Sequence, residues 1–207
     1  MEHVVITGLG AITPIGLTVE GCWRNLTAGV SGVGPITLFD ASDLPTRIAA
    51  EVKGFDPQDH MDHKLARRSH RSAQFALAAA YQALQGAGLT INEGNAPTVG
   101  VVINTGAGGV GILEEGTGLL LSGGPRKISP LFVPIMMPNA VACQVSIAIG
   151  AKGPVLTSTL ACASGNYALV EAMHMLQRGE AEVMIAGGAE AGMTRLLLTG
   201  FCNMGAL

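Results

Sequence analysis

The chain has 207 residues, 48% of them hydrophobic and 13% charged, with a formal net charge of −3. That length and composition suit one large domain or two small ones around a substantial core and exclude a disordered chain. The slightly acidic balance gives no electrostatic reason to propose nucleic acid as a partner. Mean hydropathy is +0.42, yet Pro134, Pro138, Asn139 and Gln144 interrupt the longest apolar region, Phe132 to Ile149, which makes it a poor membrane span. Met1-Glu2-His3 runs straight into an apolar segment without the pattern of a signal peptide, so a cytoplasmic protein is expected, with no membrane partner.

In chain order, Val4 to Gly8 reads as a strand, followed by a Gly/Pro turn and a helix around Val19 to Ala28. Gly32 to Asp62, rich in Pro, Gly and Asp, reads as an excursion outside the main sheet, and Lys64 to Gly86 as one long amphipathic helix. Val99 to Asn104 is a continuous apolar run expected to be a buried strand. Helices are expected near Val110 to Leu121 and Asn139 to Ile149, then a short strand over Pro154 to Ser158. Tyr167 to Gln177 carries Ala168, Leu169, Ala172, Met173 and Leu176 at helical spacing and stops at Gly179; Glu182 to Ala186 returns to strand. Strands alternating with helices argue for an α/β layer structure with a largely parallel sheet.

The segment Leu156-Thr157-Ser158-Thr159-Leu160-Ala161-Cys162-Ala163-Ser164-Gly165 places a cysteine on the turn between a strand and a helix. Free backbone N–H groups and the positive end of the helix dipole favour a thiolate there, and thiolate is the nucleophile. Cysteine is also among the most buried residue types, so the local sequence leaves a nucleophile and an inert core thiol both open. Cys22, Cys143 and Cys202 show no CxxC spacing and no neighbouring histidine cluster, which speaks against a metal site; Cys22 and Cys143 read as core thiols. Gly106-Ala107-Gly108-Gly109-Val110-Gly111 satisfies G-x-G-x-x-G between a strand and a helix, but Arg126 and Lys127 stand where a dinucleotide site needs an acid for the ribose. In the earlier Gly8 to Gly16 pattern, Pro14 stands where N–H groups would be needed. Steric freedom for tight turns and close backbone approach is the preferred account of both loops.

Four blocks together carry a resemblance: Val4 to Gly16, Gly123-Gly124-Pro125-Arg126-Lys127-Ile128-Ser129-Pro130, the cysteine segment, and Val183-Met184-Ile185-Ala186-Gly187-Gly188-Ala189-Glu190-Ala191. In order and spacing the chain resembles the N-terminal half of the β-ketoacyl-acyl carrier protein synthases, the condensing enzymes of fatty-acid and polyketide synthesis, and most of all the elongating type. The resemblance implies a thiolase-like fold, of which residues 1–207 supply the N-terminal half: a mixed, largely parallel sheet with helices on both faces, the nucleophile helix being one that needs burial on nearly all sides. It implies that Cys162 is the acyl-accepting nucleophile, with its own N–H a candidate oxyanion donor. It also implies that Ala107, Gly108 and Phe132 bind the acyl substrate, Phe132 to Asn139 lying near the acyl pocket of the partner in a dimer, and that Arg67, Arg68, Arg126 and Lys127 dock the acidic acyl carrier protein. Lys64 and Arg71 fall in the same basic run, which on composition alone is a solvated face. A homodimer is implied, and no organic cofactor.

Three departures accompany the likeness. His3, His60, His63, His70 and His174 match neither of the family's two catalytic histidines, which lie in its second half along with a glycine-rich oxyanion loop; that half is expected to be missing. Ala107 is small where elongating relatives commonly carry a bulky residue, which suggests medium or long acyl chains unless neighbours refill the space. Gly205 replaces a frequent arginine, which suggests weaker docking on that side. A non-catalytic fragment or scaffold that needs a partner chain is the alternative of a different class, and a thiolase-like reaction on acyl-CoA is a weaker enzymatic one. Chain length and pathway branch, fatty-acid or polyketide, are not fixed by the sequence.

Overall fold

The computed structural model describes residues 3–207. Val4 to Gly8 is not a strand: a β-branched run needs a partner edge, and among the described residues none is offered, so Val5 and Ile6 are 72% and 76% exposed. The segment instead crosses a helix at backbone distance. A Cβ on Gly8 would overlap the Ala83 carbonyl and one on Gly10 the Ala79 carbonyl, so only glycine permits the approach. Gln82 fastens the crossing by accepting the Ala11 N–H at 3.1 Å and donating to the Leu17 carbonyl at 2.8 Å.

Helix α1 (Val19–Thr27) begins where the Thr18 side chain accepts the Gly21 N–H. The excursion then forms its own antiparallel pair, β1 (Val33–Pro35) and β2 (Ile48–Ala50), outside the main sheet as expected. The buried Glu51 carboxylate accepts from the Thr37 hydroxyl at 2.6 Å and from the N–H groups of Thr37 and Leu38 at 2.9 and 3.2 Å. Burial pushes that carboxyl up, but these bonds outweigh it and hold it below the ordinary glutamate value.

The expected single helix over Lys64 to Gly86 is two, α2 (His63–Arg68) and α3 (Arg71–Gly86). At Ser69 the backbone turns extended while its hydroxyl donates to the Leu65 carbonyl at 2.8 Å, occupying an acceptor the helix would otherwise use. Arg71 consequently leaves the basic run that Lys64, Arg67 and Arg68 begin. Its guanidinium lies 4.7 Å from the ring centroids of both Phe55 and Phe75 and donates to the Phe55 carbonyl at 3.2 Å, joining the excursion to α3.

The main sheet follows. Strand β3 (Val99–Asn104) is central and wholly buried, with β4 (Val155–Leu156) and β5 (Val183–Gly188) parallel on either side. Between them run α4 (Val110–Gly123), α5 (Phe132–Met136), α6 (Ala140–Ile149) and α7 (Ser164–Gln177); α8 (Arg195–Asn203) closes the chain. Period-two alternation sorts β3 between two layers. Val99, Val101 and Ile103 join the core built with Ala73, Leu77, Val141 and Val145 of α3 and α6, while Val102 packs with Ala168 and Met175 of α7. Helix α7 is thus covered on one face only, and Leu169 on its other side is 51% exposed. Helix α8 has no counterpart in the sequence reading; its Leu198 packs with Ala41 and Leu44 of the excursion.

Candidate active site

Strand β4 ends at Leu156, short of the expected Ser158, and the chain beyond it forms the corner that carries Cys162. Thr157 still reaches back, its hydroxyl donating to the Ile103 carbonyl at 2.9 Å. Ala161 then adopts φ 50°, the one left-handed non-glycine residue among those described, a conformation that costs about 1–2 kcal/mol. Residues Ala161–Ala163 form a 3₁₀ turn that runs directly into α7, and the Cys162 thiol is exposed at its tip. The cysteine therefore sits on the strand-to-helix turn, as its sequence context implies.

A polar network under this corner holds it in place. The fully buried Asn104, at the end of β3, accepts the Ser158 N–H at 2.7 Å and donates to Glu171 Oε2 at 2.9 Å and to the Ser164 carbonyl at 3.2 Å. The Ser158 hydroxyl donates to Glu171 Oε1 at 2.7 Å. Ser164 accepts the Leu160 N–H at 2.9 Å and donates to the Thr105 carbonyl at 3.0 Å. Every side-chain function of Asn104 and Ser164 is thus engaged in tying β3, the corner and α7 together. The close approach of α7 to β5 explains a glycine: a Cβ on Gly188 would sit 2.7 Å from Gly165 Cα.

The glycine loop after β3 forms a wall beside the corner. A Cβ on Gly106 would lie 3.3 Å from the Ala161 carbonyl oxygen, so the two loops touch through backbone. Gly108 has φ 61° and backs onto Pro138, and Gly109 donates to the Met136 carbonyl at 3.2 Å. The N–H groups of Gly106 and Ala107 both donate to Glu190 Oε2, at 3.1 and 2.8 Å. A carboxylate occupying those amides excludes the phosphate-cradling role that G-x-G-x-x-G suggests by letter.

Behind the loop, the buried His70 has its Nδ1 2.8 Å from the Ser72 hydroxyl. Burial pushes the imidazole below its ordinary pKa, with the Glu190 charge opposing. Of the other histidines, His174 on α7 is exposed. Phe132 opens α5 and lies across α4 at Gly116, where a Cβ would overlap the ring. Arg67 and Arg68 are exposed on α2, and Arg126 and Lys127 are exposed on a 3₁₀ turn, Pro125–Lys127, packed against α4. Cys22, Cys143 and Cys202 are half-buried. An apolar groove of about 500 Å³ beside α1, lined by Pro14, Ile15, Trp23 and Leu26, lies apart from this corner; its Cys22 thiol donates to the Gly16 carbonyl. The roles of Asn104 and Glu190 leave no local signal because their bonds to other elements span 54 to 85 residues, while Glu171 pairs with Asn104 across 67 residues and with Ser158 across 13.

A parallel sheet that presents an exposed cysteine on a strand–turn–helix corner, walled by the glycine loop of the neighbouring strand, is the N-terminal half of a thiolase-like fold. Residues 1–207 match the model of the beta-ketoacyl synthase N-terminal domain, and the chain belongs to that family. It is 46% identical over 206 residues to the 3-oxoacyl-[acyl-carrier-protein] synthase 2 of Synechocystis sp. and 47% identical over 206 residues to that of Coxiella burnetii, in each case 100% of this chain and 50% of the relative. The solved ishigamide ketosynthase/chain length factor superposes with a TM-score of 0.88 at 30% identity, over 98% of this chain and 51% of that one. The chain spans about half the length of the curated relatives it matches. Among the described residues, no group of His, Cys, Asp or Glu is arranged to hold a metal, and no helix is long and apolar enough to cross a membrane.

Proposed function

We propose that this chain supplies the nucleophile half of a 3-oxoacyl-acyl carrier protein synthase of fatty-acid elongation. The observation that carries the reading is Cys162, exposed at the tip of a braced strand-to-helix corner. In the first stage the Cys162 thiolate attacks the carbonyl of an acyl-carrier thioester and expels the carrier thiolate, leaving an acyl-cysteine. In the second, malonyl-carrier loses CO₂, and the resulting carbanion attacks the acyl-cysteine carbonyl. The products are 3-oxoacyl-carrier and the free Cys162 thiolate. The Cys162 N–H is the oxyanion donor contributed by this half, and the histidines that assist decarboxylation belong to a second half outside these residues.

Ala107, Gly108 and Phe132 border the acyl chain in this reading, Ala107 and Gly108 through the loop that meets the corner. The exposed Arg67, Arg68, Arg126 and Lys127 meet the acidic acyl carrier protein, whose presence in the relatives' names supports the assignment. The unpaired outer edge of β4, with Val155 and Leu156 exposed, supports a homodimer in which edges pair. A cytoplasmic location suits such a substrate. The bare side of α7 and the unpartnered Val4–Gly8 segment favour a second covering segment, and they equally fit a subunit whose role is to complete a partner chain.

The test is intact mass after incubation with acyl-acyl carrier protein, on the chain alone and co-expressed with a C-terminal synthase half, with Cys162→Ala as control. A mass gain of one acyl group that vanishes in the control is expected. A folded, co-purified pair that takes up no acyl group at Cys162 overturns the enzymatic reading in favour of the structural subunit.

A further inference from the structure

One carboxylate grips the first three residues of the wall of the site. Glu190 lies just past β5, and its Oε2 accepts three donors from the loop after β3: the Thr105 hydroxyl at 3.0 Å, the Gly106 N–H at 3.1 Å and the Ala107 N–H at 2.8 Å. Its Oε1 accepts the N–H of Ala191 at 3.0 Å, which fixes the carboxylate against its own backbone. Thr105 relays the hold one step further, because its oxygen also accepts the Gly108 N–H at 3.1 Å. The loop so gripped meets the nucleophile corner at Gly106 and Ala161. Hydrogen bonds to an ionised acceptor are about twice as strong as neutral ones, and no side chain of the glycine loop itself could replace them.

We propose that Glu190 is a positioning residue for the acyl site: by clamping Thr105, Gly106 and Ala107 it fixes the wall beside Cys162 and so sets how long a chain the thiol can accept. The clamp stands on geometry alone; its consequence for acyl length rests on the acyl-transfer reading. A carboxylate suits the site because both of its oxygens accept, Oε2 from the three loop donors and Oε1 from the Ala191 N–H. Glutamine at 190 keeps a single accepting oxygen for them but turns an NH₂ toward the Ala191 N–H. Alanine removes the acceptor and frees the loop to occupy the slot it now borders.

The experiment measures alkylation of Cys162 by N-ethylmaleimide and by N-octylmaleimide, read by peptide mass so that Cys22, Cys143 and Cys202 are scored apart, in the wild type, Glu190→Ala and Glu190→Gln. Backbone amide exchange at Gly106 and Ala107 is followed in the same samples. Expected for Glu190→Ala are exchange about tenfold faster at both amides and an octyl-to-ethyl rate ratio about threefold lower, with Glu190→Gln between it and the wild type. If Glu190→Ala does not fold, Glu190→Gln carries the test, with both effects smaller in the same direction. Unchanged exchange in the folded variants, or a ratio that holds or rises, overturns the proposal. Neither readout requires acyl transfer, so failure of the carrier assay leaves the clamp intact and removes only its consequence for acyl length.

Discussion

Replacing Asn104 with aspartate keeps shape and volume but sets a second carboxylate 2.9 Å from Glu171 Oε2, at a position that is fully buried. At an effective dielectric of about 20, two charges at that distance repel by about 6 kcal/mol. The pair avoids this by binding one proton, which at pH 7 costs about 4 kcal/mol for a group of ordinary pKa near 4. The smaller figure wins, so Asn104→Asp should lose about 4 kcal/mol of stability at pH 7. The folded pair then holds its proton more tightly than the unfolded chain does. Stability is therefore regained as pH falls, by about 1.4 kcal/mol per unit toward pH 4. Urea denaturation at several pH values measures this, with Asn104→Asp/Glu171→Gln as the partner variant. Glutamine at 171 can donate to the new aspartate, and the double variant should return to within about 1–2 kcal/mol of wild type with little pH dependence. An Asn104→Asp protein as stable as wild type at pH 7, or one whose deficit ignores pH, refutes the view that this network braces the corner.

Gly109→Ala puts a methyl 2.5 Å from Met136 Cα and 2.7 Å from its carbonyl oxygen, so denaturation should show a loss of about 2 kcal/mol or more, and Cys162 alkylation should change with the displaced loop. His70, whose pKa burial lowers against the opposing Glu190 charge, stabilises fully above the ordinary histidine value and loses that contribution as pH falls through and below it. The stability gap between wild type and His70→Asn should accordingly narrow from pH 8 to pH 5, and parallel curves would exclude a buried neutral imidazole. Arg71→Met retains apolar contact but loses two ring faces and the bond to the Phe55 carbonyl. Thermal unfolding should report a loss of about 1–2 kcal/mol.

The elements that were legible in the sequence are those whose residues state their own surroundings. Val99 to Asn104 is apolar on both faces because it is central, and its limits are those the run itself suggests. Cys162 was legible through small neighbours and a helix that starts just after it. Val5 and Ile6 look the same as a buried strand, yet pairing is a property of the neighbour and leaves no trace in the segment that lacks one. The break at Ser69 is one hydroxyl choosing the Leu65 carbonyl over solvent, and a serine within a helical pattern gives that choice no fixed outcome. Helix α8 does carry a readable start, with Thr194 accepting the Leu197 N–H ahead of an apolar run. The braces of the site stayed hidden because Glu190 and Asn104 act on partners far along the chain.

The alternation along β3 has a consequence for how this part of the molecule can change. Ile103 and Asn104 are adjacent, yet one is sealed into the layer with α3 and α6 and the other anchors the turn that presents the thiol. Inserting or deleting a single residue within Val99–Asn104 would exchange them, delivering an amide to the hydrocarbon side and a branched alkyl group to the polar anchor. Parity, rather than any one contact, is what this strand must preserve, so a one-residue change in its length cannot be absorbed inside it.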